Sequence, residues 1–462
     1  LGPDFNIPRM LVVDLLHEFE LGVWKALFTH LIRVLYAAAP GGGLVAELDR
    51  RCFATNASEM KKLAARDFED LLQVRSRICC EKKEYTHICI CIPVFEGLLP
   101  EPYNTTLMTL LYQIAEWHAF AKLRLHTESN TSGRKRKTLN LFTYKWHSLG
   151  DYVHAIRLFG GTDGFSTQVG ELAHKIVKQL YGSTNKRCAG KQIAKRYRRL
   201  ERARLAYDRK RTQQKVTNNV DDQAEGDSDL RYHISPSKRY PLDIFGTIHK
   251  NRDDPAYHKF LPKLQDHLLG RLMGRDFDGD THEEFTDSDR NSIRFMESKI
   301  YSVQTCQFYY TSYDLQRQCD TVNPCTHPDI MLRSPITEEG AEPYWYARVI
   351  GVYHANVWAE NPKISGGRNV RRMDFLWVRW FGDEPGYRSG FHRARLPKIG
   401  FIESTDNFAF SFVDPANVIR GCHLIPVFNA GRSPDLLPYP RSIGRRLNPE
   451  DVDDWLNFYV NM

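Results

Sequence analysis

Residues 13–24 read VDLLHEFELGVW and are the most specific segment of the chain. Large apolar residues recur at every fourth position from Leu11 to Leu35, and this spacing predicts an amphipathic helix. Asp14 and His17 are three residues apart, so a helix places them on one face, about one turn from each other. A carboxylate beside an imidazole orients the ring or shares a proton with it. The alternative is an exposed helix pair or a helix cap, which is the commoner meaning of an isolated Asp-x-x-His.

The composition describes a protein large enough for two or three domains. The chain has 462 residues, of which 42% are hydrophobic, and its net charge of +8 is only mildly basic, so the distribution of charge says more than the total. It contains no run of about 18 apolar residues, so we expect no membrane span. The ten cysteines are irregularly spaced, and no basic-then-apolar leader precedes them. We therefore expect reduced thiols in an intracellular compartment.

The character of the chain changes after about residue 298. Helical periodicity dominates before this point, whereas the later residues form short aromatic and β-branched runs such as FLWVRWF, separated by Pro, Gly, Asn and Asp. Such runs are typical of antiparallel strands. The sequence therefore predicts an α+β fold, in which a mostly helical part precedes a small antiparallel β-barrel-like domain.

Five stretches carry a resemblance to a known family. The segment Asp14–Trp24 combines D-x-L-H with a following acid, Gly and aromatic residue; the others are SEMKKLAARDFEDLLQ, IPVFEGLLPEP, TYKWHSLGDYV and DDWLNFYV. Together they resemble CACTA-type transposases and the related Plavaka-like elements of fungi. Because those elements run almost directly from the second stretch into the third, residues 74–91 are interpreted as a short intron read through as protein.

The resemblance implies an RNase H-like core with three catalytic carboxylates, Mg²⁺, a DNA partner and residence in the nucleus. It makes Asp14, His17 and Glu171 the candidate catalytic residues, with Glu171 as the third carboxylate and a Mg²⁺ ligand. Asp151 and Asp163 compete for that role, and Glu171 is also explained as a first-turn acid that the helix dipole stabilises. Two hard divalent ions need clustered carboxylates to hydrolyse a phosphodiester and transfer the strand.

In the family, the first two catalytic carboxylates belong upstream of the Asp14 motif. In this sequence, Asp4 is the single acidic residue among the thirteen residues before Asp14. We therefore expect the metal site to be incomplete and this fragment to be inactive.

A basic stretch at residues 186–215 contains thirteen Lys or Arg residues and two acids. Such density suits contacts with DNA phosphates, although a solvated helix or a nuclear localisation signal has the same composition. A shorter basic cluster lies near residue 135. The candidate DNA-binding residues are Lys135, Arg136, Lys195, Arg196, Arg198, Arg199, Arg202, Arg204, Lys210 and Arg211.

The later β-rich part resembles the bromo-adjacent homology fold. The matching segments are Ala347–Val349, Val378–Phe381 and Ile419–Leu424. This resemblance implies chromatin or protein partners, which some members bind through aromatic cages by cation–π attraction. The candidate cage residues are Trp345, Tyr353, Trp358, Trp377 and Trp380, and the alternative is that these rings form the core.

The predicted organisation has four parts. Residues 1–185 are a partial RNase H-like core with a helical insertion, and residues 186–298 hold the basic helix, an acidic linker and short helices. Residues 299–430 are the β-domain, and residues 431–462 are a tail with a short helix. The oligomeric state stays open.

Overall fold

The computed structural model describes residues 13–52, 91–122, 144–202, 231–275, 285–311, 317–335, 342–361, 364, 368–445 and 453–461. The chain divides into two compact units. The helical unit comprises residues 1–28 and 120–230, and the β-rich unit comprises residues 29–119 and 231–462. Of the segment interpreted as an intron, only Cys91 lies within the described residues.

Helices account for the described structure up to residue 202. A π-helix spans Leu15–Trp24 and continues directly into α1 at Lys25. The α-helices are α1 (Lys25–Ala38), α2 (Gly43–Cys52), α3 (Cys91–Phe95), α4 (Tyr103–Ala121), α5 (Tyr144–His147), α6 (Tyr152–Phe159), α7 (Gln168–Gly182) and α8, described over 189–202. No helix among the described residues is long and apolar enough to cross a membrane.

Antiparallel strands dominate the described structure after residue 231. They are β1 (Tyr232–Ile234), β2 (Pro241–Asp243), β3 (Ile293–Phe295), β4 (Lys299–Val303), β5 (Cys306–Thr311), β6 (Arg317–Val322), β7 (Asp329–Arg333), β8 (Tyr344–Ala359), β9 (Arg371–Asp383), β10 (Lys398–Phe401), β11 (Phe410–Val413), β12 (Val418–Gly421), β13 (His423–Pro426), β14 (Arg432–Ser433), β15 (Asp454–Trp455) and β16 (Phe458–Asn461). Three α-helices lie among them: α9 (Ile244–Lys250), α10 (Phe260–Leu272) and α11 (Asp287–Arg290).

The long strands β8 and β9 form the centre of an eleven-stranded sheet whose main path runs β12-β7-β8-β9-β10-β16-β13. Aromatic and β-branched side chains pack well on such a pleated surface. Successive residues of β9 enter opposite packing clusters: Phe375 and Trp377 pack with α10, whereas Leu376 and Val378 pack with β5 and β7. The centre of β9 is therefore buried on both faces.

The helical residues of the β-rich unit are tied to the strands by polar contacts. The Arg51 guanidinium donates to the backbone oxygens of Val94 and Glu96 at 3.2 and 2.7 Å and lies 6.0 Å from the Phe428 ring centroid. The Tyr459 hydroxyl of β16 donates to the Glu96 carboxylate at 2.8 Å. These contacts explain why residues 29–119 and 231–462 form one compact unit.

The predicted α+β class is confirmed, but the predicted barrel is wrong: the described strands form open antiparallel sheets. The compact units also depart from the predicted sequential division. Strands β1 and β3 of residues 186–298 pair with β5 and β8. The short helix predicted for residues 431–462 is wrong: the described residues of this tail form β14, β15 and β16, and β16 pairs between β10 and β13. Long-range backbone pairing therefore joins segments that the sequence pattern separates.

Candidate active site

The segment that carries Asp14 and His17 is a π-helix, where the apolar spacing predicts an α-helix. Asp14 caps its start in an extended backbone conformation, and its side chain accepts a hydrogen bond from the His17 backbone N–H. The apolar residues spaced by four, Leu15, Phe19 and Val23, are all buried as the spacing predicts. Short π-helical segments are rare and occur frequently at functional sites. The four-residue apolar repeat is compatible with both helix types.

The Asp14 carboxylate is the centre of the site. Its Oδ2 atom lies 2.5 Å from His17 Nδ1 and accepts from the Thr167 hydroxyl at 2.5 Å. Its Oδ1 atom accepts from the Thr167 backbone N–H at 3.1 Å. Burial raises the pKa of Asp14, but the hydrogen bonds from Thr167 and His17 outweigh burial and leave that pKa below its ordinary value. The carboxylate is therefore held in its ionised form.

The bonding fixes the tautomer of His17. An ionised carboxylate only accepts hydrogen bonds, so the proton between the two groups is assigned to Nδ1 of the ring. A neutral His17 then carries its free lone pair on Nε2, and about half of its side chain is exposed to solvent (48%). Asp14 thus positions an imidazole that can accept a proton from a water or hydroxyl group.

Thr167 links the Asp14–His17 pair to α7, which carries Glu171. Thr167 immediately precedes α7, and its side chain bonds to Asp14 instead of capping the helix. Position 171 lies four residues further on, so it falls on the same helix face as Thr167, one turn along. The side chain of Glu171 lies outside the described part of the structure. The backbone nevertheless brings the start of α7 to Asp14.

The two competing acids occupy different places. Asp151 is exposed and ends a short 3₁₀ helix, Ser148–Asp151. Asp163 lies in a second 3₁₀ helix, Thr162–Gly164, and its side chain lies outside the described part. No hydrogen bond described in the structure joins Asp151 to the Asp14–His17 pair, whereas Thr167 at the start of α7 bonds to that pair.

Two residues that sequence reasoning missed complete the group. Glu18 accepts from the Asp14 backbone N–H at 3.1 Å, and Lys145 Nζ donates to the His17 backbone oxygen at 3.2 Å. Burial raises the pKa of Glu18 above its ordinary value, and the nearby Asp14 carboxylate adds to that rise. The two neighbouring carboxyls are therefore shifted in opposite directions, an arrangement that separates acid and base roles in many active sites.

The described residues do not fit the Mg²⁺ pair that the family resemblance implies. Three donors from His17 and Thr167 converge on Asp14 Oδ2 and a fourth, the Thr167 backbone N–H, bonds to Oδ1, so Oδ2 is fully engaged by the protein. Mg²⁺ needs free carboxylate oxygens in near-octahedral geometry. Within the described ranges, no group of three or more His, Cys, Asp or Glu side chains is arranged to hold a metal ion. The role of Glu171 as a Mg²⁺ ligand stays a prediction.

Gly22 leaves space for Lys145 in this site, and its replacement by alanine tests that contact. A Cβ atom at position 22 comes within 2.6 Å of Lys145 Cδ and 3.0 Å of the His17 oxygen. We expect Lys145 to swing away from His17, with a loss of about 1 kcal/mol, the usual net value of one hydrogen bond. Hydrogen exchange of a peptide that covers residues 13–28 should then become several-fold faster.

The matched control for this variant is Gly150→Ala, because a Cβ at position 150 meets nothing within 4 Å. We expect Gly150→Ala to leave the exchange of residues 13–28 unchanged. Equal exchange rates in wild type and Gly22→Ala would show that Lys145 does not stabilise the π-helix.

The predicted basic helix is present and mostly exposed. Of the candidate DNA-binding residues, Lys195, Arg198, Arg199 and Arg202 are exposed on α8, and Arg196 is half-buried. The others lie outside the described residues: Lys135, Arg136, Arg204, Lys210 and Arg211. Exposed cations on successive turns of one helix leave phosphate contacts possible on more than one side.

The candidate cage aromatics lie in two separate packing clusters. Tyr353 and Trp377 are buried beside α10, where Trp377 meets Phe260 edge to face at 5.0 Å. Trp345 and Trp380 pack in the other cluster, 5.8 Å apart, and Trp358 is partly buried on β8. The five predicted rings therefore do not converge on one cage, because alternate strand residues point to opposite faces of the sheet.

Searches of protein-family models, curated proteins and solved structures return no match to this chain. Its function is therefore inferred from its own residues and their geometry.

Proposed function

We propose that this chain is a remnant of a cut-and-paste DNA transposase that binds DNA and lacks a complete metal centre. One observation carries the proposal: Thr167, at the start of the helix that holds Glu171, bonds to both Asp14 and His17 across about 150 residues of sequence. The resemblance predicts that these two segments meet. A contact between residues so distant in sequence is not a product of local helix geometry.

The proposed centre has a defined division of roles. Asp14 orients His17 through Nδ1, and His17 presents Nε2 as a proton acceptor. Glu18, whose pKa burial raises, is suited to give a proton. We propose an RNase H-like ancestry for the helical unit on this basis. Because the described residues do not fit a metal pair, no step of phosphodiester hydrolysis is assigned to them.

DNA contact is assigned to α8, in the same unit as the Asp14–His17 pair. Its exposed cations include Lys195, Arg198, Arg199 and Arg202. Each phosphate that a cation neutralises releases condensed counterions, which makes binding weaken steeply as salt is raised. Residence in the nucleus is part of the proposal, since its substrate would be chromosomal DNA.

The second candidate function is a non-catalytic nuclear protein that binds DNA or chromatin. The hydrogen bonding of Asp14 favours it, because three donors converge on Oδ2 and leave that oxygen no position for a metal ion. The proposed bromo-adjacent homology likeness of the β-rich unit also fits a chromatin partner.

Salt-dependent DNA binding tests the proposed function. We expect the chain to bind duplex DNA with an affinity that falls linearly on a logarithmic salt scale. The slope is that of the logarithm of the binding constant against the logarithm of the salt concentration. Changing Lys195, Arg198, Arg199 and Arg202 together to alanine should reduce the size of this slope by up to about 3 to 4, since each phosphate contact contributes about 0.9. Fluorescence anisotropy of a labelled duplex between 50 and 200 mM salt provides the measurement.

A control with the same change in net charge separates contact from long-range attraction. Lys250, Arg252, Arg368 and Arg388 are exposed in the β-rich unit. Their combined alanine variant should keep most of the slope. Equal slopes for the two variants would mean that α8 does not contact DNA, and no binding by the wild type would overturn both candidate functions.

Incubating the bound, supercoiled DNA with Mg²⁺ or Mn²⁺ tests whether the metal centre is incomplete, and nucleosome binding distinguishes the two candidates. We expect binding without nicking, which a remnant and a chromatin protein share. Nicking that Asp14→Ala abolishes would overturn the incomplete-centre part of the proposal and favour an active transposase. If the chain binds native nucleosomes at least ten times more tightly than free DNA, the chromatin function is favoured.

A further inference from the structure

A cavity of about 170 Å³ opens in the β-rich unit, and none of the residues assigned above to DNA or catalysis lines it. Its charged walls include Arg348, Arg445 and Asp453, and its apolar walls include Phe401, Leu424 and Trp455. The strands that supply these residues include β8, β10, β13 and β15. Sites for drug-sized ligands usually have volumes of about 300–1,000 Å³. The smaller volume of this cavity therefore suits a small molecule.

Three arginines gather behind this cavity. Arg348 and Arg379 face each other directly across the β8–β9 pair, a placement that ordinarily destabilises a sheet. Arg445 joins them by bonding to the same carboxylate as Arg379: Asp454 Oδ2 lies 2.9 Å from Arg379 and 3.4 Å from Arg445. Such close packing of three like charges needs compensation from their surroundings.

Two buried carboxylates provide part of that compensation. Asp329 receives two hydrogen bonds from Arg348, at 2.7 and 3.0 Å, and Asp454 is shared between Arg379 and Arg445. The Phe401 ring lies 3.8 Å from the Arg379 guanidinium and 5.1 Å from that of Arg348. Three guanidinium groups therefore face two buried carboxylates, and a third carboxylate at the cavity, that of Asp453, is partly exposed.

Several of the arginine nitrogens also lack acceptors. Among the residues that the structure describes, Arg379 Nε and Nη2 and Arg445 Nε are buried without a hydrogen-bond partner. Arg445 is itself 6% exposed and lines the cavity. Buried polar groups are nearly always paired, so the unpaired Nε of Arg445, the one of these two arginines that lines the cavity, points to an acceptor that the space admits.

We propose that this cavity binds a small monocarboxylate that carries an apolar group. The carboxylate accepts from the guanidinium groups of Arg348 and Arg445, since the planar arginine fork matches carboxylate geometry. The apolar group lies against Leu424 and Trp455.

Asp453 gives the sharpest test, because it lines the cavity and is partly exposed. Its negative charge opposes an anionic ligand, so Asp453→Asn should bind the ligand more tightly. We expect a two- to fivefold gain, roughly the size that a screened charge near the surface provides. A gain in affinity cannot arise from a variant that fails to fold. The matched control is Asp253→Asn, whose carboxylate is 77% exposed and does not line the cavity.

Isothermal titration of the full chain uses phenylacetate, its neutral analogue phenylacetamide, inorganic phosphate and tetramethylammonium as probes. We expect saturable binding of phenylacetate, at least tenfold weaker binding of phenylacetamide, and tighter phenylacetate binding by Asp453→Asn alone. Three results would overturn the proposal: equal binding of the acid and the amide, stronger binding of phosphate or tetramethylammonium, or weaker phenylacetate binding by Asp453→Asn.

Discussion

Replacing Asp454 with asparagine is expected to destabilise the β-rich unit by about 3–5 kcal/mol, the usual cost of removing one partner from a buried ion pair. Asp454 is the carboxylate that Arg379 and Arg445 share, and Arg379 is fully buried. Burial lowers the pKa of Arg379 to about 10, so its guanidinium stays charged at neutral pH and cannot relieve the loss by releasing a proton. The variant therefore leaves two buried cations without their counter-ion.

Hydrogen exchange of peptides from β9 and β16 measures this loss within the β-rich unit. The neighbouring Asp453→Asn is the control, because that side chain is partly exposed and most exposed substitutions change stability by about 0.5 kcal/mol or less. Adding Arg379→Met to Asp454→Asn should restore part of the stability, since it removes one of the stranded charges. Purely additive losses in the double variant would show that the two side chains are not energetically coupled.

The strands of this unit could be predicted from sequence, but their partners could not. Runs such as FLWVRWF are rich in aromatic and β-branched residues, and β9 contains this run. The predicted barrel failed because closure depends on which strands pair. Residues 458–461 pair with β10 and β13, whose residues come up to about 60 positions earlier. Nothing in a short apolar run identifies a partner at such a distance.

Arg379 shows a signal that sequence reasoning left unused. It stands inside the apolar run FLWVRWF, and an arginine that is fully buried is rare unless it is paired. The run therefore indicates a buried ion pair, although its partner Asp454 lies 75 residues later. The identity of that partner depends on the strand pairing and becomes visible only in the fold.

The local part of the candidate site could be predicted from the sequence, whereas the part that depends on burial and tertiary contacts could not. The three-residue spacing of Asp14 and His17 predicts their proximity, and their side chains do lie 2.5 Å apart. Glu18 was the next residue in the motif, but its raised pKa depends on burial, which spacing does not reveal. The sequence pattern does not single out Thr167. Its bond to Asp14 depends on tertiary structure.

Replacing Asp14 with asparagine is expected to destabilise the helical unit by about 2–3 kcal/mol at pH 7, because charge-assisted hydrogen bonds are worth about 1.5–3 kcal/mol. The carboxylate accepts from the backbone and hydroxyl of Thr167 and from His17. An asparagine keeps one acceptor and turns the other into a donor, which faces the donors of Thr167 or His17. Hydrogen exchange of α7 peptides measures the effect, and Asp151→Asn on an exposed position is the control.

The pH dependence of this loss has a defined sign. Hydrogen bonds hold the folded pKa of Asp14 below its ordinary value of 3.8, so the stabilisation is present above about pH 4. It is lost as the pH falls through the folded pKa, where the wild-type carboxyl is protonated. The difference in stability between wild type and Asp14→Asn should therefore shrink below pH 4. A difference in stability that is unchanged at pH 3 would contradict the role of the ionised carboxylate.

Glu18→Gln supplies the opposite expectation within the same site. Burial holds the folded pKa of Glu18 above 4.5, so its ionised form opposes folding at neutral pH. Because glutamine resembles the protonated side chain, the variant should be as stable as wild type or more stable at pH 7. Opposite effects from two carboxyls four residues apart cannot come from a change in net charge, since both variants remove one negative charge. Equal losses would instead mean that both carboxyls only anchor the helix, with no separation of acid and base roles.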